Sequence, residues 1–213
     1  NPTITNSTIQ NNTDGIYADS GSEPTITGNT FTGNERPVSV YANRIDETIY
    51  DNTYSNNTKD YIEVQNGTLD ENKTYTWKQD GGPYVAAHSI TVQYNNSVNN
   101  LSILEIESGT TVMFKSGFHL YVGHEDDNRY RGALQATGVT FTSYDSTGWN
   151  GIRFRGISDD SNCLIDSSII EGAVDGVYCQ SANPTITNST IQNNTDGIEA
   201  NSGSQPTITG NTF

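Results

Sequence analysis

Apolar residues along this chain come singly, in short triplets framed by Thr, and never at helical spacing. PTITNSTIQNN (Pro2 to Asn12), PTITGNTFTGN (Pro24 to Asn34), ETIYDNTYSNN (Glu47 to Asn57) and CLIDSSIIEGA (Cys163 to Ala173) align with one another. The alignment puts Ile4, Ile26, Ile49, Ile165 and Ile186 in one column. Ile9, Phe31, Tyr54, Ile170 and Ile191 form a second column, five residues later. Seven residues further on comes Ile16, Val177 or Ile198, each preceded by Asp-Gly. Three apolar-centred segments in about 22 residues, separated by Asn, Gly and Asp, are what one coil of a three-sided solenoid requires, with one strand per side. The absence of both a 3.6-residue apolar period and a Leu-x-x-Leu-x-Leu pattern excludes helical and leucine-rich repeats.

Strand alternation then points each column residue inward and its neighbours Thr3, Thr5, Thr8 and Gln10 outward. Asn12, Asn34 and Asn57 share a further column at a turn. There Asn tolerates left-handed backbone, and its amide can hydrogen-bond from coil to coil. The fold class expected is an all-β, three-sided parallel solenoid of about 21–23 residues per coil.

A longer repeat lies over the short one. Asn1 to Phe31 and Asn183 to Phe213 are identical except at Tyr17/Glu199, Asp19/Asn201 and Glu23/Gln205. So close a match points to a segment of a tandem array. At about 22 residues per coil, the long period of about 182 residues predicts about eight coils and, at the strand spacing of about 4.8 Å, a rod on the order of 40 Å per copy.

With these motifs in place, the chain resembles the right-handed parallel β-helix repeat family, of pectin-lyase-like fold. It is most similar to tandem-repeat surface proteins of methanogenic archaea. The resemblance is carried by TYTWKQDGGPYV (Thr74 to Val85), LEIESGTTVMF (Leu104 to Phe114), GALQATGVTFTS (Gly132 to Ser143), the segment from Trp149 to Cys179, and the NPTITNSTI coils. It implies that residues 1–60 close one unit, residues 61–73 form a junction, and residues 74–213 are the following unit.

Composition narrows the function. Apolar residues make up only 32% of the 213, which suits a thin stacked core better than one thick globular core. The net charge of −15 repels phosphate backbones, so nucleic acid is not an expected partner. No apolar run reaches the roughly 18 residues of a membrane span, and the residues from Asn1 to Thr5 show no signal-peptide pattern. Nine Asn-x-Ser/Thr sequons, at Asn6, Asn11, Asn56, Asn66, Asn72, Asn95, Asn100, Asn188 and Asn193, are candidate N-glycosylation sites and favour an extracellular, cell-surface location.

Candidate chemistry is sparse. GHEDDNRYRG (Gly123 to Gly132) is a charged loop between two strand-like runs, holding His124, Glu125, Asp126, Asp127, Arg129 and Arg131. Glu125, Asp126 and Asp127 are candidate calcium ligands, the only cofactor the sequence suggests, although they lack the alternating spacing of a calcium loop. The Asp-Gly steps at Asp14, Asp175 and Asp196, and Asp159-Asp160, read as turns. His88 and His119 stand alone in strand-like contexts, without metal spacing. Trp77, Trp149 and the tyrosines read as interior packing more than as sugar platforms. Cys163 and Cys179, sixteen residues apart, are either a disulfide or two buried thiols.

No catalytic residue is assigned. The expectation is a non-enzymatic extracellular repeat protein whose units stack head to tail into a stalk, sheath or filament, with itself as principal partner and surface glycans as another. The alternatives are a β-helix polysaccharide lyase or hydrolase and a carbohydrate-binding module.

Overall fold

A computed structural model describes residues 1–46, 48–94, 99–201 and 203–213. Among the described residues the only helical elements are two 3-10 turns, Ala42–Arg44 and Asp160–Asn162, and every strand pairing is parallel. The strands form five sheets. Sheet I stacks Thr3–Thr5, Thr25–Thr27 and Ile49–Tyr50, and sheet II stacks Thr8–Gln10, Thr30–Thr32 and Thr53–Ser55. Sheet III is the longest, with eight strands from Asp14–Tyr17 to Thr190–Gln192. Sheet IV has six strands from Gly67–Leu69 to Asp196–Asn201, and sheet V six from Thr74–Trp77 to Thr207–Thr209.

Short strands suffice because each is tied to the coils above and below it. A Thr-Ile-Thr strand turns its isoleucine inward, and Ile26, Phe31, Ile165 and Ile186 are completely buried. Stacked side chains fill the interior as one continuous cluster. Phe31 lies flat on Tyr54 with ring centroids 5.3 Å apart, and Phe114 on Trp149 at 4.5 Å. Full burial of one such side chain contributes about 1.5–3 kcal/mol, repeated coil after coil. Trp77 and Trp149 are both interior, as the sequence suggested.

The turns carry the expected amide ladder, but left-handed backbone falls on Asn11, Gly33 and Asn56, one residue before each of Asn12, Asn34 and Asn57, and not on the ladder residues themselves. Asn6, Asn11, Asn56, Asn188 and Asn193 have φ between 49° and 59°. The neighbouring asparagines form the ladder. Asn12 Nδ2 donates to Asn34 Oδ1 and Asn34 Nδ2 to Asn57 Oδ1, each at 3.1 Å, and Asn57 Nδ2 donates to Asp60 at 2.7 Å.

Three further expectations are corrected. First, the coils are not of uniform length. The inward column of sheet III runs Ile16, Val38, Ile62, Tyr84, Val112, Phe141, Ile170 and Ile191. Its steps are longest between Tyr84 and Ile170, where the coils carry loops such as 123–131 and 144–148, and shortest from Ile170 to Ile191. Seven coils, not eight, therefore separate Ile16 from Ile191. Second, the column begun by Ile9 is not continuous in space: Ile9, Phe31 and Tyr54 stack in sheet II, whereas Ile170 and Ile191 stack in sheet III. Third, Asp14, Asp175 and Asp196 are not turn residues but the first residues of strands.

The break in the Ile9 column originates in the segment 61–73. Sheet III runs through it without interruption, by way of Ile62–Gln65. Sheets I and II end there. Lys78 sits over the Tyr50 ring at 4.6 Å, Asp80 accepts from the Asn52 backbone N–H at 2.7 Å, and Gly82 lies against Tyr54. Sheets IV and V begin there, with Gly67 against Ala42 and the Thr76 N–H donating to Asp46. One corner of the rod is thus closed by residues 78–83 while the return segment 42–46 opens into a new wall.

Candidate functional site

The outer face of sheet IV gathers aromatic and charged side chains. Strand register sets Tyr121, Arg153, Tyr178 and Glu199 in one outward column, one residue per coil. Parallel stacking at about 4.8 Å brings ring and guanidinium into contact. Arg153 lies over Tyr178 at 4.4 Å and Arg155 over Tyr121 at 3.7 Å, both cation–π distances. Arg153 Nη2 donates to Gln180 Oε1 at 2.7 Å. His119 stacks on Tyr121 at 4.6 Å, with its Nδ1 2.9 Å from the Tyr121 hydroxyl.

The electrostatics follow from this crowding. Burial, reinforced by Arg153 and Arg155, brings His119 down to about 4, so the imidazole is neutral at pH 7. Burial also pulls the Arg155 guanidinium below its ordinary value. The Nε atoms of Arg153 and Arg155 are buried and make no hydrogen bond. The nearest carboxylate to Arg155 Nε is Glu125, at 3.9 Å. Glu125 is the one member of the predicted charged loop that reaches this face.

The rest of that loop is occupied locally. Arg129 pairs with Asp127 at 2.6 Å and holds its carboxyl down at about 2. His124 Nδ1 accepts the backbone N–H groups of Asp126 and Asp127, and Arg131 is paired with Asp159. Among the described residues the one group of three placed to share a metal ion lies elsewhere: Asp175, Asp196 and Glu199, with ligand oxygens within 4.8 Å of one another. Burial, with Glu199 and Asp196 adding, raises the Asp175 carboxyl above its usual range. In the first copy the counterpart of Asp196 is Asp14, held by Arg36 at 2.5 Å, and the counterpart of Glu199 is Tyr17, so this cluster is not a constant feature of the repeat.

Sequence reasoning missed two polar clusters, both of which need register to be seen. Glu63, almost fully buried on the outer face of sheet III, is met by Arg36 at 2.8 Å, Lys115 at 3.5 Å and Lys59 at 3.9 Å. Asp80 ends a second, buried amide ladder through Asn29 and Asn52. Of the remaining predicted positions, His88 is exposed and packs on Phe118, and Asp159 precedes the turn Asp160–Asn162. Cys163 and Cys179 are free, buried thiols: the first precedes a strand of sheet V, the second lies in sheet IV, each packed into the core. Of the sequon asparagines, Asn6, Asn11, Asn56, Asn66, Asn72, Asn188 and Asn193 are exposed, Asn100 is half-buried, and Asn95 lies outside the described residues. No described helix is long and apolar enough to cross a membrane.

The family model for the right handed beta helix region matches residues 1–98 and 122–213. The chain belongs to the right-handed β-helix family. No curated protein and no solved structure matches it. The β-helix accounts for the parallel sheets and the inward columns, and it places the arginine–tyrosine face on an outer wall open to solvent.

Proposed function

We propose that this β-helix is an extracellular structural repeat whose copies stack into a rod, stalk or sheath at the cell surface, without catalysis. The observation that carries this reading is the behaviour of one repeated sequence. At Thr25–Thr32 the TITGNTF segment is covered by the coil before it and the coil after it, with Ile26 and Phe31 fully buried. The unit is built to be stacked on both sides, and its near-identical recurrence from Asn183 to Phe213 supports continuation rather than closure. Seven coils per copy give an advance of about 34 Å at the strand spacing of about 4.8 Å. The exposed sequons and the acidic surface fit an extracellular setting.

Electron microscopy of the native protein, with and without chelator, tests this. Rods with an axial repeat of about 34 Å or a multiple are expected. Discrete particles that never elongate would refute the reading, and rods unchanged in chelator would remove any cation bridge from it.

A second reading, saccharide binding or hydrolysis, draws on the sheet IV face. Ring-stacked guanidiniums beside Gln180 suit sugar rings and carboxylates, and Asp175 with Glu199 would be the acid–base candidates. Arg153→Ala should then abolish glycan binding, and Asp175→Asn turnover. A chain that neither binds nor degrades acidic polysaccharides would exclude it.

A further inference from the structure

We infer that the long repeat keeps one wall of the β-helix and exchanges the other two, so that the surface carried by Thr8–Gln10 and Asp14–Tyr17 in one copy moves across sheet III in the next. The inference starts from register. Outward residues of sheet III form one column running Tyr17, Ser39, Glu63, Val85, Met113, Thr142, Glu171 and Gln192. Gln192 therefore lies on the same wall as Tyr17, seven coils along. Its sequence counterpart, Gln10, lies on sheet II.

Two of the three strands of the repeat step forward by one sheet. Thr8–Gln10 is in sheet II and its counterpart Thr190–Gln192 in sheet III; Asp14–Tyr17 is in sheet III and the strand Asp196–Asn201 in sheet IV. The third strand keeps its wall: Lys78 over Tyr50 and Asp80 on Asn52 set Trp77, at the end of the first strand of sheet V, over Ile49, so Thr3–Thr5 and Thr185–Thr187 share a column that runs Ile4, Ile26, Ile49, Trp77, Ile106, Ala136, Ile165 and Ile186. The cause is the rebuilt corner at residues 61–83, where the coil holding Ile49–Tyr50, Thr53–Ser55 and Ile62–Gln65 acquires a fourth strand, Gly67–Leu69. The next coil returns to three strands, but on sheets V, III and IV. One copy thus equals seven coils, one of which carries four strands.

The consequence concerns what binds the surface. The sequon corner at Asn11 leads into sheet III, whereas the same corner at Asn193 leads out of it toward sheet IV. Glycans attached there, or a partner recognising the repeated corner, project in different directions from neighbouring copies. The same exchange would recur at the corresponding corner of each further copy. This extension to longer arrays rests on the repeat-rod reading; the exchange within the chain does not.

The test uses the full chain. Nitroxide labels at Y17C with Q192C, and at Q10C with Q192C, are compared by dipolar electron resonance, the native thiols being buried. The first pair is separated along the axis alone, by about 34 Å for seven coils; the second adds the width of a wall and should be longer. A shorter distance for Q10C with Q192C would place the repeats in phase and overturn the inference. A Fab raised against the shared NSTIQNNTDGI surface supplies an independent readout. Imaged on the chain, two Fabs should leave from the two opposite edges of sheet III, and two Fabs on one edge would overturn it. Diverging Fabs on a protein that never forms rods would sink the structural reading and leave the exchange of walls standing.

Discussion

Asn52 donates its side-chain amide to the buried carboxylate of Asp80 at 3.1 Å and its backbone N–H to the same group at 2.7 Å. Tyr54 adds its hydroxyl at 2.8 Å. Asp80 is thereby the terminus of a ladder that begins at Asn29, and it fastens the last coil of sheets I and II to the corner that replaces them. Asp80→Ala would leave a buried N–H, an amide and a phenol without their acceptor. The expected loss is about 2–4 kcal/mol, read from the denaturant midpoint. Asp80→Asn retains one acceptor oxygen and should cost less. Equal stability of Asp80→Ala and the parent would show that water replaces the carboxylate without penalty.

Gly151 tests how closely the coils approach. Its φ is 96°, and a Cβ there would lie 1.6 Å from the Asp175 carbonyl oxygen of the next coil. Gly151→Ala has to separate two strands of sheet IV, and a loss of at least about 3 kcal/mol is expected. Gly117 is the control. Its φ is 80° with nothing within 4 Å of the added Cβ, so Gly117→Ala carries only the left-handed backbone cost of about 1 kcal/mol. Thermal melts of the two variants should differ clearly; similar midpoints would mean that coil spacing is not limiting at Gly151.

Much of this fold is legible in the sequence because one interior position per strand must be apolar and one turn position must tolerate left-handed backbone. Ile26 and Phe31 announce the first demand without any partner being known, whereas the second falls on Gly33, one residue before the Asn34 that the column of asparagines points to. What periodicity does not carry is which strand lies over which. Ile9 and Ile191 have identical neighbours in sequence, and only the corner at 61–83 decides that they occupy different sheets. The candidate site was obscured for the same reason. Tyr121, Arg153 and Tyr178 come from three successive coils of unequal length, which hides their register from any fixed period. The consecutive charges of residues 124–131 drew attention instead, although only Glu125 approaches the arginine–tyrosine face.

The two thiols give a pH prediction. Burial pushes Cys163 and Cys179 up to about 12, against an ordinary value of 9.0. The folded protein holds both protons at a pH where the unfolded chain has lost them. Their contribution to stability is therefore complete below pH 9 and is lost as pH rises through 12. Ellman's reagent at pH 8 should find neither thiol in the native protein and both in denaturant. Rapid labelling of the native protein would contradict the buried placement.

His119 provides the opposite sign. Its folded value of about 4 lies below the ordinary 6.5, because burial and the charges of Arg153 and Arg155 disfavour the imidazolium. The unfolded chain takes up this proton first as pH falls. The associated stability, about 1–3 kcal/mol, is present above pH 6.5 and is lost as pH drops through 4. NMR of the His119 ring should show no titration between pH 8 and 5.5. Arg155→Met removes one of the two opposing charges, so its His119 midpoint should move upward, toward but not reaching 6.5, since burial is the larger cause. A midpoint unchanged by Arg155→Met would mean that the guanidinium stacked on Tyr121 does not act on the imidazole, and that burial alone keeps His119 neutral on the sheet IV face.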